Sequence, residues 1–223
     1  MGAASAATKP RPRSEAGPGA ETDPAPAPAP AQDRAAELER LRELPVYPTR
    51  LPPAFERHFA VQRGEVQGEA LLRFEPQADG AAYRLHFAWG DGQTTWLTLD
   101  SGGLAGPAGL LPQQFTDRRP GRSPRSSRFD REAATVQVGP RGRPQPLATA
   151  GQDRLSWWVQ LPAIVRARPD GPRAGERLSL QVAGVRGVPA IWHFDNRGLA
   201  SAEAAWGPAV PAWHYRREPT SPY

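Results

Sequence analysis

Four histidines, His58, His86, His193 and His214, are the side chains best suited to acid–base or metal chemistry near neutral pH. None stands at ligand-pair spacing with a second histidine or a carboxylate, as in the HExxH helix pattern. All four fall in segments that read as strands, so each is expected to be a surface or satisfied core histidine. Cysteine is absent, which removes thiolate nucleophiles, disulfides and Cys-based zinc sites. No G-x-S-x-G elbow, P-loop or dinucleotide fingerprint occurs. The series Gly102, Gly103, Gly106, Gly109 lacks the Lys-Ser/Thr that phosphate cradling needs. No catalytic residue, metal ligand or cofactor is therefore assigned. A hydrolase would need a His–carboxylate–nucleophile cluster assembled by the fold.

Charge is concentrated in one stretch. Residues 118–143 hold Arg118, Arg119, Arg122, Arg125, Arg128, Arg131, Arg141 and Arg143 against Asp130 and Glu132. Every basic residue of the chain except Lys9 is arginine. We attribute that first to coding bias, because Arg and Lys serve equally on most solvated surfaces. Three readings compete for the stretch. It is a solvated hairpin, or an anionic envelope surface meets Arg118, Arg119, Arg122, Arg125 and Arg128, or it binds nucleic acid. Phe129 is its single aromatic residue, whereas stacking platforms interleave several, so nucleic acid is disfavoured. Asp153 and Arg154 read as structural: Asp153 caps a helix start, and Arg154 pairs across to the sheet.

The elements that would position these residues are mostly strands. From Leu51 the apolar pattern has period two. Segments 55–63, 70–76, 83–89, 94–100, 110–119, 126–132, 134–140, 176–184, 189–198 and 212–218 are strand-like. Tyr83, Leu85, Phe87 and Trp89 share one face, and Gly90-Asp91-Gly92 turns the chain back, which is the strongest hairpin signal. Ser101-Gly102-Gly103 reads as the next turn, and Pro112 marks an edge or a bulge. Residues 151–168 form the only substantial helix of the domain, capped by Asp153, kinked at Pro162 and lying across the sheet. All seven Trp and all seven Phe lie after residue 50 and supply the core.

Residues 1–45 are different. The Pro-Ala alternation within 21–32 favours extended polyproline II and cannot pack a core, so the segment reads as a disordered spacer. A short amphipathic helix at 33–44 carries Leu38, Leu41 and Leu44 on one face, with Asp33 as N-cap and Pro45 as stop. No apolar stretch approaches the ~18 residues that span a bilayer. The expected architecture is mainly β (α+β): one domain over 46–223, a curved antiparallel sheet or partly open β-barrel with one main helix.

In their order, GLLPQQFTDRR (109–119), SSRFD (126–130), QDRLSWWVQLPAI (152–164) and GERLSLQVAGVRGVPAIWHFDNRG (175–198) resemble the bacterial family called domain of unknown function 3108. The resemblance covers roughly Leu51 to the end. It implies an exported or envelope-anchored protein of Gram-negative bacteria, located in the periplasm or cell envelope, and assigns no activity. Many members carry an N-terminal membrane segment before a Pro-rich linker, and related proteins continue past the region of AWHYRREPTSPY. The expectation is therefore that both ends of this chain are cut short and that the domain lacks its last strands. The resulting reading is a non-enzymatic envelope domain holding a lipid or other apolar ligand in its concavity. Trp89, Trp96, Trp157, Trp158 and Trp192 are the candidate lining, and core packing explains them equally well. The alternative is a cytoplasmic nucleic-acid-binding protein using 118–143.

Overall fold

The computed structural model describes residues 31–63, 65–77, 80–170, 173, 175–196 and 213–217. Helix α1 (Ala31–Arg42) precedes eight strands: β1 (Phe55–Arg63), β2 (Val66–Pro76), β3 (Ala82–Gly90), β4 (Thr95–Gly106), β5 (Gly109–Arg118), β6 (Arg125–Asp130), β7 (Thr135–Val138) and β8 (Pro144–Pro146). They pair in sequence order as one antiparallel sheet, which stays open, with β1 and β8 at its edges. Alternation sets its two faces. Phe74, Leu85, Ser101, Phe115 and Ser127 lie opposite one another across β2 to β6 and are all buried. The facing positions one residue away carry Arg73, His86, Asp100 and Thr116.

A second sheet was not anticipated. Strand β9 (Gln152–Asp153) is followed by helix α2 (Trp157–Arg166), then β10 (Arg177–Ala183), β11 (Ala190–Asn196) and β12 (Trp213–Arg217), with sheet order β12-β11-β10-β9. β9 runs parallel to β10. Parallel neighbours need a long crossover, and α2 supplies it. Leu155 and Val159 pack in the large core of the first sheet, whereas Leu161 and Ile164 pack with Leu178, Leu180, Trp192 and Phe194 of the second. Helix α2 thus joins the two cores. Each fully buried Leu or Phe contributes roughly 1.5–3 kcal/mol through burial.

Three sequence expectations are corrected. Ser101-Gly102-Gly103 is not a turn: β4 continues to Gly106, with a bulge at Gly102/Gly103 opposite Pro112. Gly103 is there for close approach, since a Cβ would sit 2.2 Å from the Leu111 carbonyl oxygen. The bulge expected from Pro112 is present. The helix expected over 151–168 begins only at Trp157, because Gln152 and Asp153 are taken by β9. In α1, Asp33 lies inside the helix instead of capping it; Leu41 is buried and Leu38 is exposed.

Candidate functional site

Where the two sheets and α2 meet, the first sheet's core face turns polar. Asp153 is completely buried at the end of β9. Its Oδ2 accepts a hydrogen bond from the Ser101 hydroxyl at 2.5 Å, and Ser101 Oγ lies 2.9 Å from the Tyr83 hydroxyl, which is left to donate. Its Oδ1 accepts the backbone N–H groups of Leu155 and Ser156, both at 2.7 Å, so it ties off the turn that enters α2. Burial pushes the Asp153 carboxyl up from 3.8 to about 6; the hydrogen bonds from Ser101, Ser156 and Leu155 pull the other way. Burial likewise raises Tyr83 well above its ordinary value, with the Asp153 charge adding to it.

Arg131 completes this seam. It stands in the middle of the Arg-rich stretch, yet its guanidinium is part-buried. It donates to the carbonyls of Pro112, Thr149 and Gly151 and stacks over the Phe129 ring at 5.6 Å. Burial lowers it from 12.5 to about 10, against the stabilising charges of Tyr83 and Asp153. Three buried glutamines clip neighbouring loops to the same seam. Gln152 donates to the Leu110 and Ala150 carbonyls. Gln160 accepts from the Leu110 N–H and donates to the Ala108 carbonyl. Gln181 accepts from the Ala148 N–H and donates to the Pro146 carbonyl. The Ser–Asp contact pairs a hydroxyl with a carboxylate and no imidazole, in the protein interior. It orients backbone and does not present a nucleophile.

The histidines do not assemble a catalytic cluster among the described residues. His58 meets Glu56 at 3.0 Å and His86 meets Asp100 at 2.8 Å, both on the solvated face of the first sheet. Glu56 also binds Arg73, and Asp100 binds Arg118. His193 lies in the second sheet, with Nδ1 2.8 Å from Ser179 Oγ. The crevice beside Ser179, lined also by Leu44, Pro45 and Gln181, measures about 10 Å³, room for at most one water. The side chain of His214 lies outside the described residues. Arg154 lies over Gly184, where an added Cβ would meet its Nε at 2.9 Å. Among the described residues no group of three or more His, Asp or Glu could hold a metal ion.

The five tryptophans separate into two groups. Trp157 stacks against Trp158, Trp192 and Phe194 with ring centroids 5.1–6.1 Å apart, and Trp158 meets Phe87 edge-on at 5.2 Å. These rings pack α2 onto both cores. Trp89 and Trp96 form a separate edge-to-face pair, 5.1 Å apart, on the β3–β4 hairpin. They sit at the outer end of the first sheet's core face. Leu97 and Leu99 are partly buried beside them, and Phe87 lies between this pair and Trp158 of α2. The Trp89 Nε1–H is buried without a hydrogen-bond partner.

The predicted arginine surface also divides. Asp117 and Arg125 pair in register on the core face, with Arg119 gripping Asp117 through two hydrogen bonds. Arg118 and Arg128 lie on the opposite face, in the row of Asp100 and Gln114. Arg122 is exposed in the connecting turn. Strand alternation therefore splits the charges between two faces instead of ranking them along one stripe.

Ser101, Arg131 and the three glutamines were missed as a set. Gln160 and Gln181 carried a signal, a lone amide inside the apolar runs WWVQLP and LSLQVAG. Arg131 carried none, since nothing local separates it from its exposed neighbours. No protein-family model matches the chain, and neither the curated proteins nor the solved structures contain a match.

Proposed function

We propose that this is a non-enzymatic binding domain of the bacterial cell envelope that receives the apolar part of a ligand on the uncovered end of its first sheet. The observation that supports the reading is the group formed by Trp89, Leu97 and Leu99, with Trp96 edge-on against Trp89. Trp89, Leu97 and Leu99 occupy core-facing register positions and are only partly buried, while their strand neighbours Leu72, Phe74 and Leu85 are fully covered. Clustered apolar area left uncovered on a core face marks a place for something else to cover. The envelope setting rests on the family resemblance, and acyl chains are the abundant apolar groups of that compartment. The ligand rests on a surface strip, because Trp157, Trp158 and Trp192 fill the interior.

Titrating the full chain with the fluorescent apolar probe N-phenyl-1-naphthylamine tests this. Saturable binding is expected, weakened at least tenfold in Leu97→Gln, with chemical denaturation of the variant confirming that it remains folded under the binding conditions. Absence of saturable binding, or equal binding by both proteins, would remove the reading.

A further inference from the structure

The turns at the two ends of the first sheet carry different charge. Strands β1 to β8 pair antiparallel in sequence order, so the β1–β2, β3–β4, β5–β6 and β7–β8 connections emerge at one end. The β2–β3, β4–β5 and β6–β7 connections emerge at the other. The first end is basic. Arg119, Arg122 and Arg125 stand on the β5–β6 connection and Arg141 and Arg143 on the β7–β8 connection, all exposed. Strands β6 and β7 are neighbours, and the Gly139 N–H donates to the Ser126 carbonyl, so these two tips stand side by side. Asp117, opposite Arg125 in register, gives both oxygens to Arg119. Among the described residues no carboxylate pairs with Arg122, Arg125, Arg141 or Arg143. The acids of this end are Asp91, which accepts the N–H groups of Gln93 and Thr94, and Glu65 on the β1–β2 connection. At the opposite end the β4–β5 turn is uncharged, and the β6–β7 turn exposes Asp130 and Glu132 while Arg131 reaches inward to the Pro112 and Gly151 carbonyls. Alternation divides the strand arginines between two faces, but turns belong to neither face, and their charge gathers at one end.

We infer that this end of the sheet docks on an anionic phospholipid bilayer, with Arg122, Arg125, Arg141 and Arg143 over the headgroup phosphates. The inference goes beyond the apolar ligand proposed above and stands without it. Guanidinium groups bind phosphate oxygens in bidentate fashion. Four unpaired cations spread over two turn tips match an array of separate phosphates better than one small anion, and a surface rich in anionic lipid is such an array. A second observation chooses lipid over nucleic acid. The β5–β6 connection leaves the sheet at Arg118, which lies opposite Thr98, so it runs beside the start of β4 and its partly buried Trp96 and Leu97. Tryptophan and leucine next to arginine suit the boundary between headgroups and acyl chains. Single-stranded nucleic acid needs open aromatic faces for stacking, whereas Trp96 is engaged edge-on with Trp89.

The experiment is flotation of the full chain with vesicles of phosphatidylcholine and phosphatidylglycerol, and with vesicles of phosphatidylcholine alone. Binding is expected on the mixed vesicles at low ionic strength, falling as salt is raised, and absent on the neutral ones. An arginine close to an anionic surface contributes about fivefold in affinity. Arg122→Gln/Arg125→Gln and Arg141→Gln/Arg143→Gln should therefore each weaken binding by about tenfold or more. The control is Arg84→Gln/Arg186→Gln, which removes exposed arginines from the far part of β3 and from the β10–β11 connection; it should weaken binding by no more than about twofold. Equal binding to both kinds of vesicle, or equal loss in all three double variants, overturns the inference. Tighter binding to a DNA duplex than to the mixed vesicles, lost in the same tip variants, also overturns it and gives the tips to nucleic acid. N-phenyl-1-naphthylamine binding, measured without vesicles, should be unchanged in both tip variants, so the docking surface and the apolar ligand fail separately.

Discussion

The two ends of the first sheet's core face solve opposite problems. At one end α2 and the second sheet press down, and the face beneath them carries Ser101 and Ser127 among its phenylalanines. Both hydroxyls are used: Ser101 binds Asp153 and Ser127 donates to the Gly184 carbonyl. At the other end the same alternation places Trp89, Leu97 and Leu99, which are only partly buried. The difference teaches that the covered end is held by directed bonds. Strand β9 is two residues long and the loops around it have few ladder bonds of their own, so side chains must satisfy their backbone groups. The far end lies within long strands, β3 and β4, paired over most of their length with one register shift at Trp89/Gly90.

The sharpest way to break the comparison is to remove the carboxylate. Asp153→Ala leaves the Ser101 hydroxyl and the Leu155 and Ser156 N–H groups without their acceptor inside the protein. Each orphaned buried group costs about 1–3 kcal/mol, so a loss of about 4 kcal/mol in denaturant unfolding is expected. A loss below about 1 kcal/mol would mean that the seam is not what holds α2 against the sheet.

The second test uses pH. Asp153 has a folded value of about 6 against 3.8 ordinarily. A carboxyl with the higher pKa in the folded state binds its proton more tightly there. Its contribution to stability is therefore greatest below about pH 4, falls as pH rises to about 6, and is level above. The shift corresponds to about 3 kcal/mol across that window. Asp153→Asn, which cannot titrate, should lose this slope while the remaining carboxylates keep theirs. An unchanged pH profile in the variant would place the titration elsewhere.

Much of the covered sheet was legible because it is repetitive. The alternation of Tyr83, Leu85, Phe87 and Trp89, and the Gly-Asp-Gly turn after it, specify a hairpin by period and turn chemistry alone. Gly103 misled because glycine marks both turns and close backbone approach, and only the partner strand's carbonyl tells which. The second sheet was illegible for a similar reason. Gln152-Asp153 has no strand periodicity; it is extended only because β10 lies beside it. Arg131 shows the limit most plainly. Its three carbonyl partners belong to residues 112, 149 and 151, so its role exists only after the chain has closed on itself. Trp89 and Trp96 were singled out for residue type alone, and their pairing on the β3–β4 hairpin follows from the register.

The smallest effect sharpens the contrast between the ends. Leu85 and Leu99 lie on the same face of neighbouring strands, one fully buried under α2 and the other half-buried on the strip. Truncating a buried leucine loses both transfer free energy and the contacts of the cavity left behind, about 2–5 kcal/mol. A half-exposed leucine leaves no enclosed void, because solvent fills the space, and forfeits only part of the transfer term. Leu85→Ala is expected to cost about 3 kcal/mol and Leu99→Ala about 1 kcal/mol in the free protein, read from chemical denaturation. N-phenyl-1-naphthylamine at saturating concentration should then widen the difference between parent and Leu99→Ala, because a ligand that covers Leu99 stabilises the parent by mass action and the variant less. The same addition should leave the cost of Leu85→Ala where it was. If ligand instead stabilised both variants as much as the parent, its seat would lie away from β4, and the uncovered end of the sheet would be an ordinary solvent face.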